Sequence, residues 1–276
     1  MSITAADVNK LRMMTGAGMM DCKKALTEAN GDFEAAIDIL RKKGQKVSAA
    51  RSDRNTTEGA VLVETNADAT EGIIIALGCE TDFVAKTDDF IKLSNAILKV
   101  AQTQKPADKA ALLAAKVDDR TVQEHITDLV GKIGEKIEIV SYDVVKGEKI
   151  VPYIHSNGKL GVLVALKNVA GADVVEAGKD VAMQIAAMRP VALDKGDVDA
   201  TIIARELEIA KDQIRAEGKP EEMVEKIAQG KLNKFYKDST LLNQEFVKDN
   251  SKSVSQYLDS VQKGLTVSAF KRITVA

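Results

Sequence analysis

Residues 72–77, Gly72-Ile73-Ile74-Ile75-Ala76-Leu77, form an apolar run with three isoleucines in succession and a glycine in front. β-Branched side chains lose rotamer freedom in a helix and pack well on a pleated surface, so the run reads as a strand. It is apolar on both faces, which predicts a central strand covered above and below. Just upstream, Gly59-Ala60-Val61-Leu62-Val63-Glu64-Thr65 is a second β-rich run. Between them Asn66-Ala67-Asp68-Ala69-Thr70 carries turn chemistry, which predicts a hairpin. Downstream, Phe90, Leu93, Ile97 and Val100 recur at helical spacing, and Asp88 is the expected cap of that helix.

The same order returns later. A second strand-rich block begins near Glu135, with Ile137-Glu138-Ile139-Val140 and Ile150-Val151-Pro152-Tyr153-Ile154 leading into Gly161-Val162-Leu163-Val164-Ala165-Leu166. A helix follows from about residue 172 to 188, so residues 158–188 echo 71–101 in outline: glycine, apolar strand, polar turn, amphipathic helix. We read an internal duplication of an antiparallel sheet with helices on one side, an α+β arrangement and not a doubly wound sheet. After Lys105-Pro106, short helical pieces fill the chain up to Gly131.

Three short amphipathic helices precede this core. Thr4-Ala5-Ala6-Asp7 is a capping-box pattern, with Val8, Leu11 and Thr15 on one face before Gly16. Met19, Cys22, Leu26 and Ala29 mark the second helix. Phe33, Ala36, Ile37 and Leu40 mark the third, which is expected to stop near Gly44 and hand over to a polar linker at 46–58. None of the three could persist alone in water, so they must pack together. Residues 197–238 read as a helical hairpin projecting from the body: Ile203, Leu207, Ala210 and Ile214 form one seam, Gly218-Lys219-Pro220 the turn, and Val224, Ile227, Ala228 and Phe235 the other seam. A last helix, Val254–Val261, and a strand at 265–275 end the sequence. The organisation expected is 1–55 as the three-helix domain and linker, 56–143 as the first core subdomain and 144–276 as the second.

Hydrophobic residues make up 45% of the 276, which argues against a disordered or fibrous chain and leaves room for more than one compact unit. Acids and bases nearly cancel at a net charge of -2, without the basic excess of a nucleic-acid binder. Aromatic residues are 4% and Trp is absent, which weakens a base-stacking role. No apolar run reaches the length of a bilayer, and Met1-Ser2-Ile3-Thr4 lacks the basic and apolar regions of a signal peptide. Two cysteines, Cys22 and Cys79, are too few for a disulfide framework. These features read as a soluble, cytoplasmic protein with no direct nucleic-acid or membrane partner.

The chemical motifs are sparse. Thr15-Gly16-Ala17-Gly18 lacks the GxxxxGK[ST] spacing and has no strand in front of it, so it reads as a helix connector. Met13 and Met20 fall off the apolar stripes, and two readings stay open: adaptable contacts with a partner, or closure of a small core. His125 and His155 have no neighbours at metal-ligand spacing, and a GxSxG elbow does not occur. Cys79, at the end of an apolar strand, reads as a buried structural thiol, and Asp88-Asp89 as acids at a helix N-terminus. No catalytic, metal or cofactor constellation emerges. Glu80-Thr81-Asp82-Phe83-Val84 is the unusual element, a polar-aromatic cluster where a buried strand hands over to a helix. The residues alone favour a capped turn whose Phe83 folds back on its own core, and an exposed contact is the alternative.

Two longer strings resemble the signatures of a known family. Thr15-Gly16-Ala17-Gly18-Met19-Met20-Asp21-Cys22-Lys23-Lys24-Ala25-Leu26 is similar to the N-terminal signature of elongation factor Ts, and Cys79-Glu80-Thr81-Asp82-Phe83-Val84-Ala85 to its second. Lys132-Ile133-Gly134-Glu135, residues 158–164 and Gln184-Ile185-Ala186-Ala187 agree with the family in the same order. The resemblance implies a UBA-like three-helix head and a non-enzymatic guanine-nucleotide exchange factor for elongation factor Tu. On the family's pattern Asp82 and Phe83 would enter beside the partner's magnesium site, with Thr81 and Val84 shaping the loop and Ile133 and Gly134 supporting it. Met19 and Met20 would touch the GTPase domain, and His155 would lie near a second contact. Members of the family can also self-associate through the core. Two departures stand out. Gly78 takes a position commonly held by asparagine, which would loosen the strand end, and the sequence ends at Ala276, where many members continue into a helix that contacts the partner.

Overall fold

The computed structural model describes residues 3–171 and 173–275. Its first helix, α1 (Ala5–Thr15), opens on the expected capping box. The Thr4 hydroxyl accepts from the Asp7 amide at 3.2 Å, and the Asp7 carboxylate accepts from the Thr4 amide at 3.0 Å. Gly16 ends it in the left-handed region at φ 67°. α2 (Met19–Glu28) and α3 (Phe33–Ala50) complete the head, whose small core is Val8, Leu11, Cys22, Ala25, Leu26 and Ala36. Met19, which spacing placed on the inner stripe, is 54% exposed. It opens the first turn of α2, ahead of the buried set that begins at Cys22.

Beyond the head come the hairpin strands β1 (Glu58–Thr65) and β2 (Glu71–Cys79), in register from Glu58 opposite Cys79 to Thr65 opposite Gly72. Asn66 closes the turn, its side-chain oxygen accepting from the amides of Thr70 and Glu71. A single turn, α4 (Asp82–Ala85), leads into α5 (Asp88–Gln104), then α6 (Lys109–Ala114), the short ladder β3 (Lys116–Val117) and β4 (Arg120–Thr121), and α7 (Val122–Ile133). The cap of α5 is Thr87, whose hydroxyl accepts from the Phe90 amide; Asp88 is instead its first helical residue. β5 (Ile137–Lys146) then returns to the free edge of β2, giving the order β1-β2-β5. The strand expected to start a second block therefore completes the first sheet.

The second half repeats this path. β6 (Lys149–Ile154) and β7 (Leu160–Lys167) form a hairpin and α8 (Val175–Met188) follows. Residue 172, expected to open that helix, lies outside the described residues. After α9 (Ala200–Ala216), α10 (Glu221–Ser239), the ladder β8 (Glu245–Phe246) and β9 (Asp249–Ser253), and α11 (Val254–Val261), β10 (Thr266–Thr274) pairs with β7 in the order β10-β7-β6. Each central strand alternates between two cores. Ile73, Ile75 and Leu77 face α5 and α7, while Ile74 and Ala76 face the other sheet. Val162, Val164 and Leu166 face α8, while Leu163 and Ala165 meet Ile74 and Ala76 in the shared middle layer. The two sheets thus lie face to face with helices outside, and "apolar on both faces" means exactly one sheet and one helical layer per strand.

Glycines set two close approaches. A side-chain carbon at Gly161 would come within 2.6 Å of Val61, and one at Gly72 within 2.7 Å of Ile150, so the sheets meet where side chains are absent. Gly44 does not stop α3; the helix runs on to Ala50. A carbon at Gly131 of α7 would stand 2.6 Å from the Gly44 Cα, so the pair lets two helices cross almost backbone to backbone. Spacing cannot separate a stop glycine from a crossing glycine, because the difference lies in a partner helix remote in sequence. Gly78, expected to loosen the end of β2, is buried, and any side chain there would meet Thr56 and Val140 at 2.8 Å. Both sheet helices end alike, at Lys105 (φ 48°) and Arg189 (φ 48°), each followed by a proline. α9 and α10 share a separate core of Ala210, Ile214, Val224 and Ala228, joined at Gly218 (φ 74°), with Pro220 as the N-cap of α10.

Candidate functional site

The strand-to-helix corner after β2 is built from both ends of the first sheet. Cys79 is fully buried, and its thiol donates to the Thr81 carbonyl at 3.2 Å. Burial first, and the charges of Glu135 and Glu58 second, push this thiol up to about 12, so it stays protonated and unreactive near neutrality. An alkylation titration of the native protein at about pH 8 is expected to label neither Cys79 nor the buried Cys22 until the chain is unfolded. Rapid stoichiometric labelling would show that the corner is open.

Two acids then tie the corner to the segment after α7. The Glu80 carboxylate accepts from the Lys136 amide at 2.7 Å and from Arg51, at the end of α3, at 3.2 Å. Reciprocally, the Glu135 carboxylate accepts from the Thr81 amide at 3.1 Å and the Thr81 hydroxyl at 2.9 Å. Thr81 also caps α4, its hydroxyl accepting from the Val84 amide at 3.4 Å. Residues 80–81 and 135–136 are therefore cross-linked by charge-assisted hydrogen bonds, the stronger kind.

On this base α4 presents its side chains in two directions. Val84, 5% exposed, enters the core with Phe90 and Leu129 and anchors the turn from inside. Phe83 is 80% exposed. The turn is thus capped, as the residues suggested, but its aromatic ring does not fold back. Asp82 pairs with Lys86 at 2.7 Å, which holds its carboxyl below the usual range and raises the lysine. The pair is largely exposed, so it orients Asp82 more than it stabilises the fold.

The remaining sequence-based candidates are distributed. Ile133 is partly buried against the same core, and Gly134 ends α7 at φ 83° with open space where a side chain would stand. The Thr81–Glu135 and Glu80–Lys136 bonds tie the segment that follows them to residues 80 and 81. Met20 is 63% exposed and Met13 is exposed too, so neither closes the head core. The head reaches the site through the Gly44–Gly131 crossing and through Gly16, which packs against the Lys132 side chain. His155 is elsewhere, exposed beyond β6, with Nδ1 2.9 Å from the Tyr153 hydroxyl. Glu135 and Arg51 carried no sequence signal of their own. Glu135 lies 54 residues from Thr81, beyond any local spacing, although it sat inside a family-like string. Among the described residues, no group of three or more His, Cys, Asp or Glu could hold a metal ion, and no helix is long and apolar enough to cross a membrane.

Comparison with known proteins decides the family. The model of the family described as Elongation factor TS matches residues 80–276, which begins at the acid that ties down the corner. The chain belongs to the elongation factor Ts family. It is 68% identical to "Elongation factor Ts" of Cytophaga hutchinsonii over 276 residues, covering 100% of this chain and 99% of the relative. It is 58% identical to that of Amoebophilus asiaticus (100% and 99% covered) and 50% identical to that of Porphyromonas gingivalis (100% and 99%). Membership makes the chain a translation elongation factor, with a role in protein biosynthesis.

Proposed function

We propose that this elongation factor binds elongation factor Tu in the cytoplasm and promotes release of its GDP by inserting Asp82 and Phe83 beside the partner's magnesium site. The observation that carries the reading is Phe83, a large aromatic ring left 80% exposed on a turn fixed by hydrogen bonds at both neighbouring segments. Burying such a ring in water-free surroundings is favourable, and here a partner would have to supply them. Bound GDP is held by phosphate contacts and by a magnesium ion that offsets phosphate charge. A wedge that displaces the elements around the ion weakens that hold. The energy comes from contacts made only in the distorted partner, and by reciprocity incoming nucleotide weakens the factor in turn.

In this reading Thr81 and Val84 shape the wedge, Ile133 and Gly134 border it, Met19 and Met20 lie on the head surface that meets the GTPase domain, and His155 serves a second contact. The factor itself needs no cofactor and does no bond chemistry. The decisive experiment loads elongation factor Tu with fluorescent GDP and follows its release in excess unlabelled nucleotide. Substoichiometric amounts of this protein are expected to accelerate release over many turnovers, and no acceleration would overturn the reading.

A further inference from the structure

We propose that Glu135 is a positioning residue for Phe83, acting through the Thr81 hydroxyl; the inference rests on the exchange reading above. A threonine hydroxyl has one proton to give and lone pairs to accept with. The Glu135 carboxylate oxygens accept, so the Thr81 proton points to them at 2.9 Å. That leaves a lone pair for the Val84 amide, which Thr81 caps at 3.4 Å. Glu135 thus fixes the rotor that caps the turn carrying Phe83, and it holds the Thr81 amide as well at 3.1 Å.

The turn cannot hold itself. α4 has four residues, far short of a helix that persists alone. Its other supports are few. Val84 enters the core, the Thr87 hydroxyl donates to the Val84 carbonyl at 2.8 Å, and the exposed Asp82–Lys86 pair contributes little. The Val84 and Thr87 contacts set where the C-terminal part of the turn sits, and the Cys79 thiol, donating to the Thr81 carbonyl at 3.2 Å, holds the backbone before it without fixing the Thr81 side chain. The direction of its first residues, and hence of the Phe83 ring, depends on the Thr81 cap. Glu80 provides a parallel tie to the Lys136 amide and to Arg51, the C-cap of α3, so the backbone at position 80 stays placed when Glu135 is changed. Losing Glu135 therefore releases the wedge without releasing the corner.

The test separates positioning from folding. In the GDP-release assay, Glu135→Ala is expected to lower the rate at saturating factor about tenfold, the scale of a lost charge-assisted hydrogen bond. The half-saturating concentration is expected to change less than about twofold, because the wedge acts on the distorted partner rather than on first contact. Glu135→Gln, which keeps one acceptor oxygen, is expected to fall between Glu135→Ala and the unaltered protein. The chain has no Trp, so Phe83→Trp supplies a single indole at the tip, and its fluorescence anisotropy is expected to drop when Glu135→Ala is added. Unchanged anisotropy would overturn the proposal, as would a Glu135→Ala loss that tracks a fall in melting temperature. If the unaltered protein fails to accelerate release, the exchange reading falls, while the anisotropy still decides whether Glu135 orients position 83.

Discussion

Phe83→Ala is expected to cut the acceleration of GDP release by about a hundredfold at equal factor concentration, while leaving the fold unchanged. Truncating an aromatic anchor at the centre of an interface costs about 3 kcal/mol, which corresponds to roughly that factor. The intact protein offers no compensating loss, because the ring is 80% exposed and belongs to no core cluster. Its removal should therefore shift the melting free energy by less than about 0.5 kcal/mol, as for surface positions in general. A stopped-flow release assay paired with a urea melt measures both numbers on one sample. An unimpaired release rate would remove the wedge while leaving family membership intact. A large drop in stability would mean that the ring packs on its own protein, as the residues alone had suggested.

Gly59→Ala is expected to have the largest effect on stability, at least about 3 kcal/mol. Gly59 is the second residue of β1, paired opposite Gly78, at φ 140°. A Cβ there would lie 2.1 Å from the Leu77 carbonyl oxygen and 2.9 Å from the Gly78 Cα. Both obstacles are backbone, so no rotamer change relieves them, and the strand pair must separate next to Cys79. Gly31→Ala provides the comparison: φ is 88°, yet nothing lies within 4 Å, so only the conformational term of about 1–2 kcal/mol remains. Urea unfolding of the two variants separates steric overlap from backbone preference. Equal losses would show that β1 and β2 do not approach as described.

The α+β character was legible because its signal is local. Three isoleucines in a row exclude a comfortable helix, the Asn66–Thr70 turn pairs two runs, and the 3.6 period behind Phe90 marks what covers the strand. The duplication was legible for the same reason, since each copy repeats a local order. Three details were misplaced where the deciding contact is remote. Gly44 looked like a stop because its partner, Gly131, lies in another helix. β5 looked like part of one strand-rich block with β6 and β7 because a strand carries no label for the sheet it will join. Gly78 looked permissive because Thr56 and Val140, which fill the space beside it, approach only in the folded chain.

At the corner after β2 the division is sharpest. Sequence alone determined that a polar-aromatic cluster interrupts the passage from a buried strand to a helix, and that its chemistry suits a capped turn. It did not determine where Phe83 would point, since a turn of four residues has no periodicity to assign its faces. Tertiary structure decided that, by bringing Glu135 and Lys136 from beyond α7 and Arg51 from the end of α3 against residues 80 and 81. The physical reason is the reach of each interaction. Propensity and capping act within about four residues, whereas hydrogen bonds that aim this ring join groups that only the closed sheet makes neighbours.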